Sequence, residues 1–275
     1  MQAPRMLYGT AWKKERTTSL VVQAVLAGFR GVDTACQPKH YEEPLVGEAV
    51  QILAREHNIP RSSLFLQTKF TSLDGQDPNR IPYDPHATLS NQVRQSFARS
   101  LENLKTDYID SLVLHSPMRT HADTLTVWST LEQFHAAQKV RYLGVSNIYN
   151  PQALKKLYQD AHVKPSVVQN RFYADTGYDQ EIRAFCREHG ITYQSFWTLT
   201  GNPECLRLSP VVQIARKRQA TAEQVFFKFV LQLGITPLTG TSSEKHVAED
   251  LQVLEWGDLS QDEVKSIAAA IGILN

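Results

Sequence analysis

Residues 31–43 read GVDTACQPKHYEE. A short apolar run ends on an aspartate and a loop with a proline follows. A His-Tyr pair then leads into a helical stripe of Leu45, Val46, Ala49, Val50 and Leu53. A strand that feeds an amphipathic helix through a loop is one β-α unit of an α/β protein. The unit recurs. Further candidate strands are MLYG (6–9), SLFLQTKF (63–70), YIDSLVLH (108–115), VRYLGVS (140–146), SVVQNRF (166–172), ITYQSFW (191–197) and ITPLTG (235–240). Helical stripes lie between them: Leu89, Val93, Phe97, Leu101 and Leu104; Leu154, Leu157, Tyr158 and Ala161; Ile182, Phe185 and His189; Val225, Phe226, Phe229 and Leu233. Eight such units over about 250 residues fit a (β/α)8 TIM barrel, with 1–275 as a single barrel domain. The competitor is an open doubly wound sheet, but no G-x-G-x-x-G follows an early strand.

With 42% apolar and 21% charged residues, the chain can bury a core and keep a soluble surface. A formal charge of +1 leaves no electrostatic footprint for nucleic acid or an anionic membrane. Cys36, Cys186 and Cys205 cannot all pair and form no C-x-x-C, which points to free thiols in a reducing compartment. The opening MQAPRMLYGTAW lacks the apolar core of a signal peptide, and no run reaches the roughly 18 apolar residues of a membrane span. The expectation is a soluble, cytoplasmic monomer. Most histidines are scattered without ligand spacing, so no metal site is expected.

In a barrel the chemistry gathers at the C-terminal ends of the strands. Those ends carry Asp33, Lys69, His115, Ser146-Asn147 and Gln169-Asn170, each polar after an apolar run, and together they imply a lined pocket. A buried lysine needs a partner, and Asp33 on the adjacent strand is available. The ammonium is expected to favour ionisation of a nearby phenol, lowering its pKa from about 10 toward neutrality. Such a phenol can give a proton to a substrate oxygen while His115 directs that oxygen. This apparatus stabilises an alkoxide formed from a carbonyl. It needs a hydride from elsewhere, because none of these residues has one to give.

The segments GTAW (9–12), GFRGVDTA (28–35), VGEAV (46–50), LQTKF (66–70), LKTDYIDSLVLHSP (104–117), VRYLGVSN (140–147), VVQNRF (167–172) and GTSSEKHVAEDL (240–251) resemble the aldo-keto reductase superfamily in order and spacing, over nearly the whole chain. The resemblance implies a barrel enzyme that passes hydride from a nicotinamide coenzyme, bound first, to a small-molecule aldehyde or ketone. Carried over by position, Tyr41 is the proton donor, Lys69 and Asp33 tune it, and His115 orients substrate. Ser146, Asn147 and Gln169 fall on the nicotinamide amide, and Phe196 falls where the family usually stacks a tyrosine on the ring. Gly240, Thr241, Ser242, His246, Glu249 and Asp250 fall in the adenine and 2′-phosphate region. Trp12 either lines the substrate cleft or packs.

Three features depart from the family. Tyr41 lies further beyond Asp33 than usual, and counting back from Gly47 puts His40 in the tyrosine's place. Members that prefer NADPH often carry a lysine and an arginine where this chain has Gly240 and His246, with Lys245 as the available compensation. NADPH is the favoured coenzyme and NADH the alternative. The chain also stops soon after SQDEVKSIAAAIG, and the segment after His115 is short, so an open cleft is expected. Little sequence precedes the first strand, leaving small room for the hairpin that often plugs the barrel's base. Two other functions compete: a coenzyme-binding regulatory subunit with little turnover, and a non-redox isomerase or lyase using Tyr41 and His115 as acid and base.

Overall fold

The structure, a computed structural model, describes residues 3–273; the expected domain limits at 1 and 275 lie outside them. The eight apolar runs form β1 (Leu7–Gly9), β2 (Gly31–Asp33), β3 (Phe65–Phe70), β4 (Ile109–Leu114), β5 (Val140–Ser146), β6 (Val167–Arg171), β7 (Thr192–Phe196) and β8 (Thr236–Thr239). Neighbouring strands are parallel, and β1 pairs with both β2 and β8, so the sheet closes into a barrel without edges. The open-sheet alternative is thereby excluded.

Around the barrel run α1 (Thr17–Ala27), α2 (Glu43–Glu56), α3 (Leu89–Leu104), α4 (His121–Ala136), α5 (Pro151–Asp160), α6 (Gln180–Glu188), α7 (Ser209–Arg218), α8 (Ala222–Gln232), α9 (Glu244–Gln252) and α10 (Gln261–Ala270). Helix α9 packs on α1 and completes the ring, while α7 and α10 pack on one another and on α8. The sequence stripes mark α2, α3, α5, α6 and α8. Helices α1 and α4 carry no clean stripe: apolar residues crowd TTSLVVQAVLA, and threonines interrupt HADTLTVWSTLEQFHA. Helix α4 starts at a local signal instead, the Thr120 side chain accepting from the Asp123 N–H. Capping boxes start α8 and α10. No helix among the described residues is long and apolar enough to cross a membrane.

Along each strand the side chains alternate between the helical layer and the barrel interior. Val32, Leu66, Leu112, Leu114, Val145 and Val168 belong to the main apolar core beneath the helices. At the base of the interior Leu7, Phe65 and Leu238 form a second cluster, with Ala3 and Tyr142 packed against it. Above this floor the interior turns polar: Asp33, Gln67, Lys69, Gln169 and Gln194 are all buried.

Helix α2 fixes the far end of the loop that follows β2. At Gly47 it presses on the end of α3 so closely that a Cβ would collide with the Asn103 carbonyl. One turn earlier, Glu43 accepts the Thr68 hydroxyl of β3 at 2.5 Å and the Asn103 amide of α3 at 3.0 Å. Burial raises the Glu43 carboxyl above its usual pKa, and these bonds oppose that rise. The start of α2 is thus tied to two elements at once. Gly47→Ala should therefore cost about 1–3 kcal/mol in urea unfolding, the usual penalty for overpacking, although it changes no side chain near the strand ends.

Candidate active site

Asp33 ends β2, and the β2–β3 register pairs it with Gln67. Gln67, Lys69 and Thr71 then share the inward face by alternation. Lys69 Nζ donates to both Asp33 carboxylate oxygens, at 2.8 and 2.7 Å, and to the Thr34 carbonyl at 2.8 Å. Two carboxamides also donate to Asp33 Oδ1: Gln67 Nε2 at 2.8 Å and Gln169 Nε2 at 3.0 Å. Burial lowers the Lys69 pKa, and the attraction of Asp33 opposes that shift.

The loop after β2 decides which side chain meets this pair. His40 N–H and Tyr41 N–H both donate to the Gln37 carbonyl, at 3.1 Å each, winding 37–41 into a tight turn. Gln37 is buried and donates to the Gly75 carbonyl at 2.6 Å, and Arg80 holds the Pro38 carbonyl at 3.0 Å. The turn brings the Tyr41 ring to 5.2 Å from Lys69 Nζ and 6.1 Å from the His115 ring. His40 instead packs on Trp12, with ring centroids 4.0 Å apart and the rings tilted by 36°, and its carbonyl accepts the Trp12 backbone N–H. The extra residues of the loop are taken up by this turn.

The expectation that the Tyr41 pKa falls toward neutrality is overturned. Lys69 uses its three donors on Asp33 and Thr34. Burial, and secondarily the Asp33 carboxylate, push the Tyr41 phenol above its ordinary value. His115 moves the other way. Burial and the nearby Lys69 and His40 charges lower it to about 3, so the imidazole is neutral at physiological pH. Its Nδ1 lies 2.7 Å from the Thr71 hydroxyl.

Beyond His115, Asn147 adopts a left-handed backbone (φ 53°) and donates to the His115 carbonyl at 2.9 Å. It lines a cleft of about 790 Å3 together with Asp33, Tyr41, His115 and Gln169. Ser146 does not: it is 1% exposed and its hydroxyl donates to the Gln169 carbonyl at 2.6 Å. Phe196 lines the cleft, as does Trp12, which is 61% exposed. Trp197 opposite is 49% exposed and carries the Arg171 guanidinium 4.0 Å from its ring.

The cleft continues to Gly240, Thr241, His246, Glu249 and Asp250. Ser242, next to Thr241, is exposed. Lys245 is 3.6 Å from Glu249. Asp250 accepts the Thr239 hydroxyl at 2.7 Å, and burial raises its carboxyl to about 6. Half-buried Lys13, from the loop after β1, donates to the Gly240 carbonyl just beyond the neighbouring β8. Burial, then the adjacent Arg16 charge, lower the Lys13 pKa.

Sequence reasoning missed Gln67, Thr71, Gln194, Arg171 and Lys13. Four had a signal in alternation: Gln67 and Thr71 flank Lys69 at two residues, Arg171 follows Gln169 by two, and Gln194 precedes Phe196 by two. Lys13 had none, because its partner lies 227 residues away.

The family model described as Aldo/keto reductase family matches residues 6–202. Glyoxal reductase of Bacillus subtilis is 29% identical over 253 residues, covering 92% of this chain and 82% of its own. The NADPH-dependent alpha-keto amide reductase of Saccharomyces cerevisiae is 28% identical over 281 residues, with 94% and 83% covered. The crystal structure of an aldo-keto reductase from a Medee basin deep-sea metagenome library superposes with a TM-score of 0.83, at 24% identity, over 98% of this chain and 92% of that one. At that identity the likeness is one of fold.

The buried pair is asymmetric in what remains when either member is lost. Without Lys69, Asp33 keeps two amide donors; without the Asp33 charge, Lys69 keeps one backbone carbonyl. Asp33→Asn should therefore cost about 3–5 kcal/mol in chemical unfolding, and Lys69→Met distinctly less.

Proposed function

Since this chain belongs to the aldo/keto reductase family and is an oxidoreductase that acts on carbonyl groups with a nicotinamide coenzyme, we propose that it reduces a small aldehyde or ketone with Tyr41 as proton donor. The observation that carries this reading is the Tyr41 ring between Lys69 and His115, in the cleft shared with Gln169 and Phe196. The residues along the cleft fit a dinucleotide: amides at Asn147 and Gln169, a ring face at Phe196, and the side chains of Lys245 and His246 at the far end. Bound along it, a reduced nicotinamide supplies the hydride.

The protein's own groups handle the proton. Burial and Asp33 keep Tyr41 protonated, so it enters the reaction as an acid whose strength is nearer that of the alcohol being formed. With His115 Nδ1 accepting the Thr71 hydroxyl 2.7 Å away, we assign the imidazole proton to Nε2. From there it donates to the same substrate oxygen as Tyr41 and holds its direction. Once Tyr41 has given its proton, the Lys69 ammonium 5.2 Å from the ring stabilises the phenolate. The exposed indoles of Trp12 and Trp197 flank the mouth and suit a flat or aromatic substrate.

NADPH is the favoured coenzyme, with NADH usable. Lys245 is partly committed to Glu249, whereas Lys13 has no carboxylate partner among the described residues and sits on the Gly240 carbonyl. Lys13 thus provides positive charge at the place where residue 240 has no side chain.

Two measurements test these assignments. With a reactive aromatic aldehyde, Tyr41→Phe should lower kcat by about 10²–10⁴-fold while coenzyme still quenches tryptophan fluorescence. Full turnover in that variant, with collapse in His40→Ala, would move the donor to His40. In titrations of the coenzymes, Lys13→Met should weaken NADPH by about tenfold, or ~1.4 kcal/mol, and NADH much less. A Cβ at residue 240 meets only ordinary contacts, so Lys13→Met/Gly240→Lys should recover NADPH binding.

A further inference from the structure

Gln194 on β7 is 1% exposed and does not line the cleft, yet it joins the two amides that touch Asp33. A carboxylate in an ion pair only accepts, so Gln67 and Gln169 must both turn their NH2 groups toward it. Each gives its second hydrogen to Gln194 Oε1, at 2.7 and 2.9 Å. Gln194 returns its own NH2 to Gln67 Oε1 at 3.1 Å. No member of this set can rotate its amide by half a turn without setting oxygen against oxygen or hydrogen against hydrogen. Gln67 is saturated by these bonds. Gln169 is the member whose oxygen is left over, and Gln169 lines the cleft.

We propose that Gln194 is a positioning residue that holds Gln169 Oε1 toward the cleft as a fixed hydrogen-bond acceptor, so that the site selects a coenzyme ring bearing a primary-amide N–H donor. This rests on the reading that the nicotinamide end of the coenzyme lies at Gln169. Asp33 then has a second task besides holding Lys69: it sets the polarity of three carboxamides, and the last of them faces the ligand. An apolar residue at 194 removes the acceptor of Gln169's second hydrogen. The bond to Asp33 is then the amide's one anchor, and the amide can pivot about it, carry Oε1 away from the ring substituent and lose the preference for a donor.

The test compares binding of NADP+ with that of its acetylpyridine analogue, in which a methyl ketone replaces the ring carboxamide. Tryptophan fluorescence reports both, since Trp12 and Trp197 lie at the cleft mouth. Wild type should prefer the amide by about tenfold, the worth of one neutral hydrogen bond. Gln194→Met, similar in length, should erase that gap. Gln194→Glu should keep it, because a buried, protonated glutamate accepts from both amides and donates to Gln67 Oε1. If the methionine variant does not fold, Gln194→Thr takes its place with the same expectation, being too short to reach Gln169. A gap that survives in the folded Met or Thr variant overturns the proposal, as does equal weakening of both ligands. Failure of wild type to bind either ligand would overturn the coenzyme reading itself.

Discussion

The Asp33 carboxylate is the constraint on which the upper half of the barrel depends. It is buried, and it accepts from an ammonium and two carboxamides contributed by β3 and β6. A buried ion pair is weak evidence for stability, because desolvation offsets most of the Coulombic gain. What it supplies here is direction. The Lys69 stem must fold back toward a residue paired beside Gln67, which turns its three donors away from the tyrosine. The influence of Lys69 on Tyr41 is consequently one of field rather than of a direct hydrogen bond.

Tyr41 itself is held from outside the barrel. Its loop is bonded by Gln37 to Gly75, by Arg80 to Pro38, and through Glu43 to β3 and α3. These anchors come from the long segment after β3 and from the helical layer, so the donor's position depends on packing far from the reacting atoms. Gly47 belongs to the same arrangement: without a Cβ, α2 can settle on α3 and bring the loop's end to where Tyr41 faces the cleft. A remodelled loop is tolerable because its turn is closed by backbone bonds of its own.

Electrostatics at the other end of the cleft follow a different plan. Glu249 and Asp250 on α9 line it beside Lys245 and His246, and Lys13 approaches from the adjacent loop after β1. Charge that one strand end could have carried is divided between the loop after β1 and the start of α9. Closure of β1 onto β8 is what makes that division workable, since it sets the two loops side by side.

Local periodicity, enforced by adjacent residues, marks the eight strands and half of the helices among the described residues, and it puts Asp33, Lys69 and His115 at polar strand ends. Its reach ended where partners are distant along the chain. Gln67 and Gln194 are 127 residues apart, and Lys13 and Gly240 are 227 apart. Only the closed barrel brings such pairs within hydrogen-bonding range. That the 37–41 turn carries Tyr41 to the ion pair and His40 to Trp12 was settled only by packing. It also decided that burial raises the Tyr41 pKa. Each of these depends on which donors reach which acceptors once water is excluded, and a strand's alternation records which way a side chain points without recording what it meets there.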